Sequence, residues 1–319
     1  MINRRTVLIL GAGASKPYGF PTGVELKNEI LQRNKSAILA SAYERQGTPN
    51  YNPFWRHILD LYGKERFSEF FEALRKSGKY SVDAFIEHRP IFTDLGKALI
   101  ATELIKYEDE RNLFQRDGGW YQYLYNRMNA RLNEFSNNRV SVITFNYDRS
   151  LEQCFLTYIQ NDYDLSRKDA AQVLSSIPIV HLHGKLGELP EFSSSGYRRY
   201  ESKTTEEAVD ICTDKIKIIH EDKFEGDEEF NRAHELITEA EVIWFLGFGF
   251  DNTNLARLGL PNLLKRPQQI LGTTYGLKSG EILQIYYTLF DHYWRLETLN
   301  QKGDLDVLSY MRTYANFLV

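Results

Sequence analysis

The sequence predicts an α/β fold: a Rossmann-like, doubly wound parallel sheet with helices on both faces. Three observations predict it. Short apolar runs that read as buried strands recur at 7–10, 140–145, 177–180, 241–246 and 268–273. Stretches with apolar residues three and four apart, the period of helices, alternate with those runs. Several runs end in small or polar residues: Gly11-Ala-Gly-Ala-Ser15, Asn146-Tyr-Asp148, His181-Leu-His-Gly184 and Gly247-Phe-Gly-Phe-Asp251. Strands alternating with helices imply a parallel sheet. In such a sheet ligands bind outside the carboxyl ends of the strands, so the four segments are expected to converge on one crevice.

The first strand, Val7 to Leu10, is unbroken apolar, as a strand buried on both faces should be. Gly11 and Gly13 allow a tight turn and close approach to a ligand. Gly19 to Gly23 forms a second Gly/Pro cluster, and Thr22 with Glu25 three residues on has the spacing of a capping box. Strand, glycine turn and helix start together describe a place where backbone N–H groups can hold a phosphate. The spacing is Gly-x-Gly-x-Ser, which is neither the dinucleotide fingerprint nor the Walker pattern. A glycine turn after a buried strand is also a purely structural device.

Residues 24 to about 43 read as one helix. Strand signals then disappear, and helical patterns run through 54–62, 65–76 (Phe67, Phe70, Phe71, Leu74), 81–86 with Ser81 as cap, 94–107 and 120–135. Residues 44–135 are therefore expected to be an all-helical insertion, its aromatics forming its own core. The sheet-bearing part is expected to comprise 1–43 and 136–319. Residues 187–240 are mixed, with a possible short strand at 216–219, and the chain closes with helical or mixed segments at 280–289 and 305–318.

Composition excludes several classes. Net charge is −4, so no nucleic-acid footprint is evident, and the basic spots Arg198-Arg199 and Lys265-Arg266 are explained by a solvated face. No apolar run approaches membrane-spanning length, and the early first strand leaves no room for a signal peptide. Cys154 and Cys212 are the only cysteines, which argues against a disulfide framework and a four-cysteine zinc site. A reducing cytoplasm is the expected location. The His181/His183 pair lacks a carboxylate or cysteine cluster to complete a ligand set, so no metal is expected. Asp148 is also placed to cap the following helix, and His183 to be a core histidine.

Taken together, Gly11-Ala-Gly-Ala-Ser15 with Gly19-Phe-Pro21, Thr144-Phe-Asn-Tyr-Asp148, His183-Gly184 and Gly247-Phe-Gly249 resemble the sirtuin fold in order and context. The closest resemblance is to the bacterial sirtuin-like NAD hydrolases of antiphage defence. It covers residues 1–43 and 136–280. It implies that Gly11, Ala12, Gly13 and Ser15, with Pro21 and Thr22 of the second loop, line the NAD site around the diphosphate and nearby ribose. Asn146 would sit beside the nicotinamide ribose and position water. The Tyr147 backbone and the Asp148 carboxylate would hold the carboxamide. His183 would be the base. Gly247, Phe248 and Gly249 would bring the end of the fourth strand toward the adenosine side. His181 is expected to matter less, its side chain pointing away from its neighbour's if the strand alternation persists.

Protein-deacylating sirtuins differ from this chain in three places. They carry Gly-Ile-Pro-Asp-Phe-Arg where it has Gly19-Phe-Pro-Thr-Gly23. They have a zinc ribbon that it lacks, and a serine where it has Gly249. These departures bear on the acyl-lysine role more than on NAD binding. The resemblance therefore implies an NAD hydrolase releasing nicotinamide and ADP-ribose, an NAD-depleting effector of abortive infection, with NAD as substrate and no metal. It further implies a homo-oligomer or a separate regulatory partner of the ATPase or Argonaute type, with no direct nucleic-acid or membrane binding. The helical insertion is expected to close one side of the NAD site. The alternatives are an NAD-dependent protein deacylase or ADP-ribosyltransferase, and a non-catalytic nucleotide-sensing subunit.

Overall fold

A computed structural model describes residues 1–33, 35–114, 118–218, 226–264, 268–290 and 304–318. The fold is α/β. Five strands form one all-parallel sheet: β1 Thr6–Leu10, β2 Val140–Thr144, β3 Ile179–His181, β4 Val242–Leu246 and β5 Gln269–Gly272. Their order is β3-β2-β1-β4-β5. This is the order of the first five strands of doubly wound dinucleotide-binding sheets, with the chain reversing direction across the sheet between β1 and β4. Every residue of β1 and β4 is buried, which explains why both read as continuous apolar runs.

The chain divides into two compact units. The first comprises Met1–Gly19, Arg111–His183 and Asp222–Val319 and contains the sheet. Its helices include Trp120–Arg127, Ser150–Asp162, Glu228–Glu239 and Ser279–Phe290. The second comprises Phe20–Glu110 and Gly184–Glu221. It therefore begins earlier than the insertion read from the sequence, ends before it, and takes in a later segment as well.

In the second unit, Thr22 accepts the N–H of Glu25 while the Glu25 carboxylate accepts the N–H of Thr22, closing the capping box at the start of Gly23–Gln32. The helix expected over 24–43 is two, Gly23–Gln32 and Lys35–Tyr43, because Arg33 leaves helical geometry at ψ 133°. Phe67, Phe70, Phe71 and Leu74 are all buried on one face of Lys64–Lys76. Phe70 meets Phe85 and Phe92 edge-on at 5.6 Å. Helix Thr93–Ile105 is buried on nearly every side, and at Gly96 a β-carbon would lie 2.9 Å from Ile86. Its buried charged residue, Glu103, pairs with Arg33 and with Lys106.

Other expectations need correction. The segment 120–135 forms helix Trp120–Arg127 and then a separate 3-10 turn, Leu132–Asn137. The strand placed at 177–180 starts and ends later, at Ile179–His181, because Pro178 has no N–H to give to the ladder and contributes only its carbonyl, to Val142. No strand forms at Ile216, which follows helix Glu206–Lys215 and makes a single antiparallel bridge to Gly184. Ile219 and the Lys265-Arg266 pair lie outside the described residues. Among the described residues, no helix is long and apolar enough to cross a membrane.

Candidate functional site

The site is a pocket within the first unit, at the carboxyl ends of β1, β2 and β3. Leu10, Thr144 and His181 stand side by side in register across these strands, and Ile179 joins them in lining the pocket. Ser15 comes from the glycine loop, and Asn146 and Asp148 from the loop after β2. Leu151 and Glu152 come from the first turn of Ser150–Asp162, and Tyr121 from the first turn of Trp120–Arg127. The pocket is partly open to solvent, and its cavity volume is about 10 Å³, the room of about one water molecule.

Asn146 is the best-defined polar group. Its N–H donates to Thr144 Oγ1 at 3.0 Å. Its side-chain amide donates to the carbonyl of Gly11 at 3.0 Å and to Ser15 Oγ at 2.9 Å. The Gly11 carbonyl only accepts, so it fixes which end of the amide faces it. Both amide hydrogens are thereby used, and the side-chain carbonyl oxygen is left as an acceptor on a residue that lines the pocket.

Asp148 is 7% exposed and lies within a hydroxyl network. It accepts the N–H of Ser150 at 3.1 Å, and its carboxylate bonds the hydroxyls of Ser150 and Ser15. Tyr121 Oη lies 2.6 Å from Ser150 Oγ. Burial raises the Asp148 pKa above the ordinary carboxylate value, and the hydroxyl and N–H bonds oppose that rise. Burial likewise raises the Tyr121 phenol well above its usual value. Tyr121 is held by a stack on Tyr18 at 3.8 Å between ring centres, and its N–H donates to Tyr18 Oη at 2.8 Å. Next to it, Trp120 donates to the carbonyl of Ala14 at 2.7 Å.

The glycine loop has a structural task of its own. Gly11 donates to the carbonyl of Leu246, and Gly13 donates to that of Gly247 at 3.0 Å. A β-carbon on Gly11 would meet Gly247 O at 2.6 Å, and one on Gly13 would meet Gly247 Cα at 2.9 Å. Gly247 has φ +57°, and a β-carbon there would lie 2.0 Å from the nitrogen of Ala14. The three glycines thus seat the loop after β1 on the loop after β4. The N–H groups of Gly13 and Ala14 are engaged within the protein, the latter by Gly11. What Gly13 offers a ligand is close approach, and its N–H is not part of a phosphate cradle.

The remaining residues proposed from sequence fall in several places. Ala12 starts the four-residue helix Ala12–Ser15. Tyr147 is buried. Phe248 packs in an aromatic cluster with Phe145, Phe245 and Phe250, at 5.3 to 5.5 Å between ring centres. Gly249 faces open space. Pro21 and Thr22 belong to the second unit, where Thr22 is the helix cap already described. His183 is buried with its ring edge-on to Phe145 at 5.3 Å and tilted against Tyr147 at 6.2 Å. It is not among the residues lining the pocket.

His181 corrects an expectation. Its side chain points into the pocket, with Nε2 2.7 Å from Glu152 Oε1 and Nδ1 3.0 Å from the backbone oxygen of Asn146. Strand alternation is the reason, since His181 shares the face of Ile179. Sequence reasoning missed Glu152 and Tyr121. Glu152 had a signal: Phe155, Leu156 and Ile159 follow it at helical spacing, so it stands on an apolar face. Tyr121 resembled any core aromatic.

Among the described residues, no group of three His, Cys, Asp or Glu is placed to hold a metal ion. No protein-family model matches the chain, and no curated protein matches it.

Proposed function

We propose that this protein is an NAD hydrolase that cleaves the nicotinamide–ribose bond to give nicotinamide and ADP-ribose. The observation that carries the reading is the fixed carbonyl of Asn146, in a pocket at the carboxyl ends of a parallel sheet ordered β3-β2-β1-β4-β5. The resemblance of the strand-end segments to sirtuin-like NAD hydrolases supplies the substrate.

The chemistry suits these residues. Loss of nicotinamide leaves an oxocarbenium-like sugar, as in glycoside hydrolysis. The leaving group is already a cation and departs neutral, so no strong acid is required. Water must be held on the reacting face, and an amide carbonyl that accepts its hydrogen does this without ionising. Asp148, buried and hydrogen-bonded, would grip the departing carboxamide. His183, from the His-Gly segment, would serve as base at the ribose hydroxyls or on water. The pocket has room for the water held by Asn146, and the nicotinamide end lies at its mouth. An unrestrained NAD hydrolase is toxic, so control by oligomerisation or a regulatory partner belongs to the proposal, as does NAD depletion in antiviral defence.

The test is incubation of the activated protein with NAD, with and without acetylated peptide, and quantitation of nicotinamide, ADP-ribose and acetyl-ADP-ribose. We expect nicotinamide and ADP-ribose in equal amounts without peptide, and abolition by Asn146→Ala and by His183→Ala in folded protein. Acetyl-ADP-ribose formed in step with peptide would establish the deacylase instead. Tight NAD binding with no turnover under any activating condition would establish a nucleotide sensor.

A further inference from the structure

The ring of His181 stands between two acceptors. Its Nδ1 is 3.0 Å from the backbone oxygen of Asn146, a group that can only accept a hydrogen bond. Its Nε2 is 2.7 Å from Glu152 Oε1. A neutral imidazole carries one N–H. Two arrangements satisfy both contacts. Either an imidazolium donates to a carboxylate, or a neutral ring donates from Nδ1 while a protonated Glu152 donates to Nε2. In both, Nδ1–H points at Asn146.

The consequence falls on Asn146. Its N–H is held by Thr144, its side-chain amide by Gly11 and Ser15, and its backbone carbonyl by His181. Glu152 fixes the ring that makes the last of these contacts. The residue is tied to β1, β2, β3 and, through Glu152, to helix Ser150–Asp162. Glu152 and His181 are 8% and 6% exposed, so water competes little for these bonds.

We propose that His181 and Glu152 are a positioning pair that sets the orientation of Asn146. The proposal rests on reading Asn146 as the water-positioning group of an NAD hydrolase. The pair acts through Asn146 and exchanges no proton with substrate.

The test compares Glu152→Ala, Glu152→Gln and His181→Ala in the full chain under activating conditions. A glutamine amide can donate to Nε2 and leave Nδ1–H on Asn146, so it keeps the geometry without the charge. We expect Glu152→Ala and His181→Ala to lower kcat on the order of 100-fold with little change in KM, the scale of a misplaced group. Glu152→Gln should recover most of that loss, with an unchanged pH profile of kcat. A Glu152→Gln protein as inactive as Glu152→Ala would show a proton relay and overturn the proposal, as would full kcat in His181→Ala.

Since buried variants can fail to fold, the wild-type chain labelled with ¹⁵N-histidine provides a second readout. Nδ1 of His181 should show a bonded hydrogen at neutral pH, and a bare Nδ1 overturns the proposal alone. A wild-type chain that cleaves no NAD removes the hydrolase reading and the catalytic role of the pair with it, whatever the nitrogen spectrum shows.

Discussion

Asp148 is costly to keep ionised where it is. Its carboxyl is buried, and burial outweighs the hydroxyl and N–H bonds that favour the charged form, so its folded pKa is raised. The sign for stability follows: its contribution is complete below the ordinary carboxylate pKa and is lost as pH rises through the folded value. Asparagine keeps the acceptor that Ser150 uses but has nothing to ionise. Asp148→Asn should therefore gain thermal stability relative to wild type as pH rises from 4 to 8, while losing NAD turnover. Melting curves across that range check it, and a gap that narrows with rising pH would refute the account. Residues trade stability for function in this way at reactive sites.

At the scale of elements, the strands were the most legible part of the sequence. β1 and β4 are buried on both faces and announce themselves as apolar runs, and the polar strand ends located Ser15, Asn146 and Asp148 in one pocket. The boundary of β3 was not legible, because Pro178, just before it, moves its start two residues later than the apolar run. His181 was assigned away from the pocket by alternation against its neighbour, whereas the strand that forms puts it on the face of Ile179, which lines the pocket. Glu152 was hidden because a lone acid near a helix start ordinarily caps or faces solvent.

The glycines of the loops were visible, but the use made of each was not, since composition does not separate a ligand cradle from a backbone seat. The structure separates them, and a substitution series reads it out. Gly13→Ala should cost about 1–3 kcal/mol from overpacking against Gly247. Gly247→Ala should cost more, because its φ of +57° is strained for any β-carbon as well. Gly249→Ala meets open space and should change stability by about 0.5 kcal/mol or less. Chemical denaturation ranks the three, and a destabilised Gly249→Ala would contradict the geometry.

At the scale of the molecule, each unit is assembled from segments distant in sequence. The sequence showed a long helical stretch but not this interleaving, because strand and helix periodicities carry no record of which distant segments pack together. In the second unit, helix Glu206–Lys215 packs on helix Thr93–Ile105, where Lys97 Nζ donates to the carbonyl of Thr213 at 3.4 Å. A fragment spanning 20–110 therefore lacks the cover for one side of an almost wholly apolar helix. It should unfold without a sharp transition and bind a hydrophobic dye. Cooperative melting of that fragment would show that the later segment is dispensable.

The seat made by Gly11, Gly13 and Gly247 also decides what an inert counterpart of this protein should be. An obvious route to such a counterpart is to disable the glycine motif and treat the product as an inactive twin. Here such a twin would have lost the seat of the loop after β1 on the loop after β4, so any silence in a cell-survival assay would also report a disturbed scaffold. Asn146→Ala gives up its two side-chain bonds to that loop but keeps the three glycines and the N–H bonds to Leu246 and Gly247, so a change in survival can be credited to the proposed reaction.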